Sequence, residues 1–308
     1  MEDYNKIIES LSVRHIKSRN IRIIKPLTLE NFRDVDNTII LLHRGEISFG
    51  RDKEKVSPGE LLFIPSNTPV VLTYGSAKEA VKLSQETFLN NIDTYYEINK
   101  TVSPIEVDGD NYSYVTFDAR IFDSVNFFSS LDIKPFKISE NNRISGIIFD
   151  LMREHINKDA GMERAIKLNT ERIVIEILRY ILNNRLFVEQ LATNSTYFKD
   201  PRLLKIFAFI KENMNSDLSN KILANVAEVS EDYVGQYFKM LTGINPQDYI
   251  EYQRMEKAVT LLRTSKRSIK EIGEDVGFKD TAYFCRRFKM MFGIPAGQMR
   301  QRETLLNS

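Results

Sequence analysis

The feature that most limits what this chain can fold into is a segment that occurs twice, 50 residues apart. Tyr233, Phe238, Lys239, Met240, Gly243 and Ile244 recur as Tyr283, Phe288, Lys289, Met290, Gly293 and Ile294. Upstream, Ile222 and Val226 recur as Ile272 and Val276. Each copy reads as a short helix, a tight turn at Glu228-Val229 or Gly277-Phe278, and a second helix that stops near a glycine. Ser230 and Asp280 stand where a side-chain oxygen caps the free N–H groups of a helix start. Helix, short turn, helix is a unit whose second helix places exposed residues in a DNA major groove. The two units span about 219–241 and 268–291. Pro246 starts a joining helix with an apolar face at Tyr249, Ile250, Ala258, Leu261 and Leu262. At 1.5 Å per residue it covers roughly 25 Å. Adding the width of the flanking units, the two recognition helices are expected near one DNA turn apart, about 34 Å.

The rest of the chain is of another kind. Its 308 residues suggest two or three domains. The first third holds short runs rich in β-branched and aromatic residues, at 21–24, 38–42, 46–49, 61–64, 70–74 and 112–117. Gly, Pro, Asn and Asp separate them, as in a β-barrel or sandwich. Residues 84–100 read as helical or irregular. From about 140 the period changes: Ile144, Ile147, Ile148, Leu151 and Met152 mark one amphipathic helix. A second, at 164–183, is apolar at Ile173, Val174, Ile177, Leu178, Ile181 and Leu182, so wide a face that it needs cover on more than one side. Burial in its own domain and a subunit interface both satisfy that need. Residues 190–200 read as a linker, followed by a helix with Asp200 as N-cap and Pro201 as first residue. The domain reading is therefore 1–138 for the β domain, 139–192 for a helical dimerisation segment, 193–200 for a linker and 201–304 for the DNA-binding domain.

Composition narrows the function classes. No apolar stretch approaches the ~20 residues that cross a bilayer. The opening Met1-Glu2-Asp3-Tyr4-Asn5-Lys6 lacks the profile of a signal peptide. One cysteine, Cys285, fits a reducing compartment, and a cytoplasmic protein is expected. His15, His43 and His155 are too scattered to suggest a metal site, and no metal or cofactor is expected. Residues 201–308 hold 17 Lys and Arg against 13 Asp and Glu, in a chain whose net charge is +1. That surplus suits contact with a polyanion.

Residues 200–302 resemble the DNA-binding domain of the AraC/XylS transcription regulators. The resemblance rests on Leu223-Ala224 with Val229-Ser230, Phe238-Lys239, Gly243-Ile244-Asn245-Pro246, Arg254-Met255, Ala258 and Leu261-Leu262. It continues through Ile272, Val276-Gly277-Phe278, Tyr283-Phe284, Arg286, Phe288-Lys289 and Phe292-Gly293. Gly45, Pro58-Gly59-Glu60-Leu61 and Ile64-Pro65 are similar to the cupin-like effector domain of the same family. The chain departs from the family at Gly273, where alanine is usual, at Gln236, where arginine is common, and at Ile294-Pro295-Ala296. The fold class implied is α+β multidomain: an N-terminal cupin-like β-barrel with a helical dimerisation layer, then an all-α domain with two helix-turn-helix units.

The resemblance implies that Asp232, Gly235, Gln236, Thr281, Ala282, Cys285 and Arg286 face bases. Arginine suits guanine, glutamine suits adenine, and an acid accepts from cytosine N4. Lys239, Arg287 and Lys289 are assigned to phosphates, which position without specifying. Tyr233, Val234, Phe238, Tyr283, Phe284 and Phe288 are assigned to the core. The implied function is a non-enzymatic, sequence-specific transcription regulator, an activator by family habit. Its implied partners are double-stranded DNA, RNA polymerase, a second copy of the chain and a small organic effector. Arg22, Arg44 and Tyr74 are polar groups on or beside strands that such an effector would meet. Two alternatives remain: control by a partner protein or by abundance, and a cupin-type metal enzyme fused to a DNA-binding domain.

Overall fold

The computed structural model describes residues 5, 8–9, 11–76, 78–99, 107–121, 125–131, 133–139, 141–187, 200–242 and 244–300. Of the described residues, 8–121 and 126–187 pack into one unit and 200–300, with residues 5 and 125, into another.

The first unit is built on two sheets. Strands β1 (Leu11–Ile23), β3 (Asn37–Arg44), β6 (Leu61–Ile64), β9 (Tyr96–Asn99), β10 (Asn111–Ile121) and β12 (Phe136–Ile138) lie in the order β12-β6-β3-β10-β1-β9, with β11 (Val125–Asn126) beside β10. The second sheet runs β5-β4-β7-β2-β8, from β2 (Leu27–Phe32), β4 (Ile47–Phe49), β5 (Glu54–Val56), β7 (Val70–Tyr74) and β8 (Val81–Leu83). β2 and β8 pair parallel, and the other pairings, β11 aside, are antiparallel. Tyr74 of one sheet stacks on Tyr112 of the other, 5.1 Å between ring centres, and the Phe63–Phe117–Phe128 cluster fills the core. Each apolar run named from the sequence falls on a strand, with Ile24 and Glu46 one residue outside β1 and β4. The polar half of β1, β2, the short β5, β8 and β12, and β9 carry no such run and escaped it. Residues 84–100 hold α1 (Gln85–Asn90), α2 (Ile92–Tyr95) and β9. A short helix, α3 (Phe127–Ser130), precedes β12.

Helices α4 (Asn142–Asn157) and α5 (Met162–Asn183) complete the unit. The five α4 residues expected to face inward are all buried. The wide apolar face of α5 is covered at home: Ile173, Val174, Ile177, Leu178 and Ile181 are buried against α4 and β1. Of the two readings left open for that face, intradomain burial is the one the packing supports. What remains exposed is a narrow stripe with Arg164, Leu168, Arg172 and Arg179, flanked by half-buried Ile175 and Leu182.

A hydrogen-bonded polar layer separates sheet from helix and takes in all three histidines. His43 Nε2 and Ser113 Oγ are 2.8 Å apart, Asn20 donates to Ser113 Oγ at 3.2 Å, and Asn99 donates to Asn20 at 2.9 Å. Ser18 Oγ lies 3.1 Å from His15 Nε2 and 3.3 Å from His155 Nδ1. Burial holds the pKa of His43 down at about 4; His15 is held there too, first by burial and then by the charges of His155 and Arg19. Arg22 and Arg44 form ion pairs with Glu97 and Asp108 on the surface, so of the three suggested effector groups only Tyr74 is buried.

The second unit is all helical: α6 (Pro201–Glu212), α7 (Asn220–Ala227), α8 (Glu231–Thr242), α9 (Pro246–Thr264), α10 (Ile269–Asp275) and α11 (Thr281–Phe292). Asp200 caps α6 through the Arg202 N–H. Of the linker expected at 193–200, residues 193–199 lie outside the described residues, as does Gly243 of the repeat.

Candidate nucleic-acid interface

The repeat has two registers. Downstream of the turns it is 50, as read from the sequence. Upstream it is 49: Leu223, Ala224 and Ala227 are the buried residues of α7, and Ile272, Gly273 and Val276 those of the second copy. The upstream matches of Ile222 to Ile272 and Val226 to Val276 are therefore out of register by one. The turns show the same offset, since Val229 N–H donates to Ala224 O and Phe278 N–H to Gly273 O. The left-handed residue is Glu228 in one turn and Gly277 in the other. Lys279 is the extra residue that restores the 50-residue period before the recognition helix.

The second turn is the tighter. A Cβ on Gly277 would meet Met214 O at 2.6 Å and Arg254 Cζ at 2.9 Å. Arg254, from the joining helix α9, donates to Met214 O and Ser216 O. Helix α10 opens with a reciprocal cap between Ser268 and Glu271, and Asp280 caps α11 through the Ala282 and Tyr283 N–H groups. Helix α9 has 19 residues, hence about 28 Å of length.

The recognition helices α8 and α11 carry nearly identical exposure patterns. Val234, Phe238, Phe284 and Phe288 are core, as expected. Tyr233 and Tyr283, expected beside them, are each 44% exposed, and Met240 and Met290 are 62% and 63% exposed. Of the residues assigned to DNA, Asp232, Gln236, Lys239, Ala282, Arg286 and Lys289 are exposed, while Gly235, Thr281 and Cys285 are half-buried beside them. One continuous outer face on each helix holds them. Glu231 and Asp232 make the first turn of α8 acidic; α11 has no acid in its first turn.

Arg287, assigned to a phosphate from the sequence, is paired within the domain. Its Nε and Nη2 donate to the two Glu251 oxygens of α9 at 2.6 and 2.5 Å, and the Tyr283 hydroxyl reaches the same carboxylate at 3.5 Å. A guanidinium held by both oxygens of a half-buried acid joins two helices. The position equivalent to Arg287 in α8 is Tyr237, buried beneath the Arg202 guanidinium, whose carbon sits 4.8 Å from the ring centre. Arg202 in turn is bound by Asp200, and this hydrogen bonding holds the Asp200 carboxyl at about 2. The sequence did not single out Arg202 or Glu251. They lie at different places in their helices and carry opposite charge, so neither position nor residue type gives a signal.

Among the described residues no three His, Cys, Asp or Glu side chains come together as a metal site would require, and no helix is long and apolar enough to cross a membrane.

A profile for the helix-turn-helix domain matches residues 223–302. An uncharacterised helix-turn-helix transcriptional regulator from Haemophilus influenzae is 21% identical over 86% of each chain. The transcriptional activator RhaS from Enterobacter sp. is 29% identical over 40% of this chain and 43% of its own. The crystal structure of ToxT from Vibrio cholerae aligns over 96% of this chain and 99% of its own, with a TM-score of 0.52 at 12% identity, a likeness of fold. Another ToxT crystal structure holds (E)-4-(8-methylnaphthalen-1-yl)but-3-enoic acid, with a TM-score of 0.50 at 13% identity and the same shares covered.

Paired helix-turn-helix units with matched outward faces define a DNA-binding transcription regulator. The domain at 223–302 is of the AraC type, and the relatives that it resembles are transcription regulators.

Proposed function

We propose that the chain reads two successive major-groove segments of one duplex, α8 with Asp232, Gly235, Gln236 and Lys239, and α11 with Thr281, Ala282, Cys285, Arg286 and Lys289. The observation that carries this reading is the repeated outer face, nearly the same at every position of two helices joined by a helix of about 28 Å. Helical units of this kind enter successive grooves about 34 Å apart. Enrichment of duplexes from a random pool, followed by footprinting, tests it. Two protected segments 10–11 base pairs apart on one face support it; a single segment counts against one of the units.

In this reading the regulator is a cytoplasmic activator that recruits RNA polymerase and acts as a homodimer. The domain division is that given above: a cupin-like effector domain at 1–138, helices at 139–192, a linker at 193–200 and the DNA-binding domain at 201–304. The exposed stripe of α5 centred on Leu168, with Ile175 and Leu182 at seven-residue spacing, is the seam available to a second copy. The two-sheet unit is the seat of a small organic effector. The carboxylic acid held by ToxT supports that class of molecule. An effector works only through different affinity for the DNA-competent and incompetent arrangements. Comparing DNA affinity of the full chain with and without a cell metabolite extract tests this part. Indifference to every extract favours control by a partner protein or by abundance.

A further inference from the structure

In each half of the DNA-binding unit, a residue of the leading helix reaches the same position of the recognition helix. Arg202 of α6 covers Tyr237, and Glu251 of α9 holds Arg287. The leading helices correspond at an offset of 52, where buried Leu203, Ile206, Phe207 and Ile210 match buried Met255, Ala258, Val259 and Leu262, so the two holding residues, 49 apart, are not equivalent. The two held residues stand 50 apart, the register of the recognition helices. The held position is thus part of the repeat and the holding one is not, and the chemistry differs: a cation on an aromatic face in one copy, a carboxylate on a guanidinium in the other.

The second fastening has directional consequences. Tyr283 and Arg287 lie one turn apart on the same side of α11, and both engage Glu251. A carboxylate that holds Arg287 by both oxygens, with the Tyr283 hydroxyl of the preceding turn 3.5 Å away, restrains the rotation of the helix about its own axis. Arg286, adjacent to Arg287, is exposed on the outer face, so its direction is set by that rotation. Arg287 would have to give up both charge-assisted bonds before it reached a phosphate.

We infer that Glu251 is a positioning residue for the second recognition helix: through Arg287 and Tyr283 it sets where Arg286 points, and it withdraws Arg287 from the cations that contact phosphate. This deepens the groove-reading assignment and rests on it. In the first copy, Tyr237 carries no charge at all, so neither recognition helix offers a phosphate a cation at this position.

The experiment uses the full chain, a duplex enriched from a random pool by the wild type, and a random duplex of equal length. The salt dependence of binding counts the phosphates engaged, and the affinity ratio of the two duplexes measures discrimination. Arg287→Gln should leave the salt slope of the wild type unchanged and lower the ratio about tenfold. Glu251→Gln should lower the ratio similarly and steepen the slope by about 1, as the released Arg287 finds a phosphate. The double variant should return to the wild-type slope with a low ratio. Arg287→Lys, which keeps the charge without the fork, should keep the slope and give an intermediate ratio. A fall in slope of about 1 in Arg287→Gln overturns the inference, because it means that Arg287 touches phosphate. An unchanged ratio in Glu251→Gln overturns it equally. A wild type that enriches no duplex overturns the groove-reading itself, and the inference with it.

Discussion

The Arg254 guanidinium lies directly over Gly277, so close that a Cβ at 277 would fall 2.9 Å from its central carbon and 2.6 Å from Met214 O. Arg254 needs that proximity to donate to Met214 O and Ser216 O, the carbonyls that follow α6. The second turn thus depends on a residue without a side chain, at φ +90°. Glu228, the same place in the first turn, holds φ +58° with an exposed side chain paired to Lys205.

Opposite substitutions at these two turns should have opposite signs. Gly277→Ala should destabilise the DNA-binding unit by at least about 2 kcal/mol, since backbone strain and a backbone clash add. Glu228→Gly should be neutral or stabilising by up to about 1 kcal/mol, because relief of left-handed strain outweighs a surface ion pair. Thermal melts of the two variants check the pair. Equal destabilisation would show that the first turn also needs its side chain.

The buried histidines give the N-terminal unit a pH profile. His15 and His43 are held at about 4 in the folded state, against an ordinary value near 6.5. Between those values the unfolded chain binds protons that the folded chain refuses. Stability should therefore be full above about pH 6.5, fall as pH drops, and level off below about pH 4. Each histidine contributes a slope of up to about 1.4 kcal/mol per pH unit. His43→Gln keeps a partner for Ser113 and should remove roughly half of that slope in melts taken between pH 7 and pH 4. A slope untouched by His43→Gln and by the corresponding His15 variant assigns the acid sensitivity elsewhere.

What was legible in the sequence follows from how each element is stabilised. Strands β3, β6 and β7 are buried almost throughout and therefore apolar, so they show as runs. The first half of β1 alternates polar residues that pair with β10 and with the histidine layer, and its signal vanishes. The outer face of each recognition helix was legible because Val234, Phe238, Phe284 and Phe288 fix the opposite side. The fastening was not legible, since Arg202 and Glu251 share neither a place in the repeat nor a chemistry. Tyr233 and Tyr283 were misplaced for a related reason: an aromatic at the margin of a buried stripe is satisfied by one covered edge, and residue type does not say which edge.

Helix α5 separates burial from association. Ile177 is 0% exposed within its own unit, so Ile177→Glu should unfold that unit and not merely dissociate a dimer. Leu168 is exposed on the outer stripe, and Leu168→Glu should leave the stability of the unit within about 1 kcal/mol of wild type. If the stripe is the seam between copies, that variant sediments as a monomer under conditions where the wild type is a dimer. A wild type that is monomeric at tens of micromolar removes the dimer from the scheme.

The division of labour on the outer faces is open to the same double measurement of slope and ratio. Arg286 is exposed, adjacent to the clamped Arg287, and aimed outward by it. A bidentate arginine–guanine contact carries about 1–3 kcal/mol of discrimination. Arg286→Ala should therefore lower affinity for the enriched duplex by roughly 5- to 150-fold and leave affinity for random DNA far less changed. Lys239 and Lys289 occupy equivalent exposed positions at the far ends of α8 and α11. Their alanine variants should weaken enriched and random duplexes alike, each reducing the salt slope by about 1. The second unit should contribute more of the non-specific affinity, because Glu231 and Asp232 place two negative charges at the start of α8 where α11 has Thr281 and Ala282. Equal loss of discrimination from Arg286→Ala and Lys289→Ala would reverse the assignment of reader and anchor on that helix.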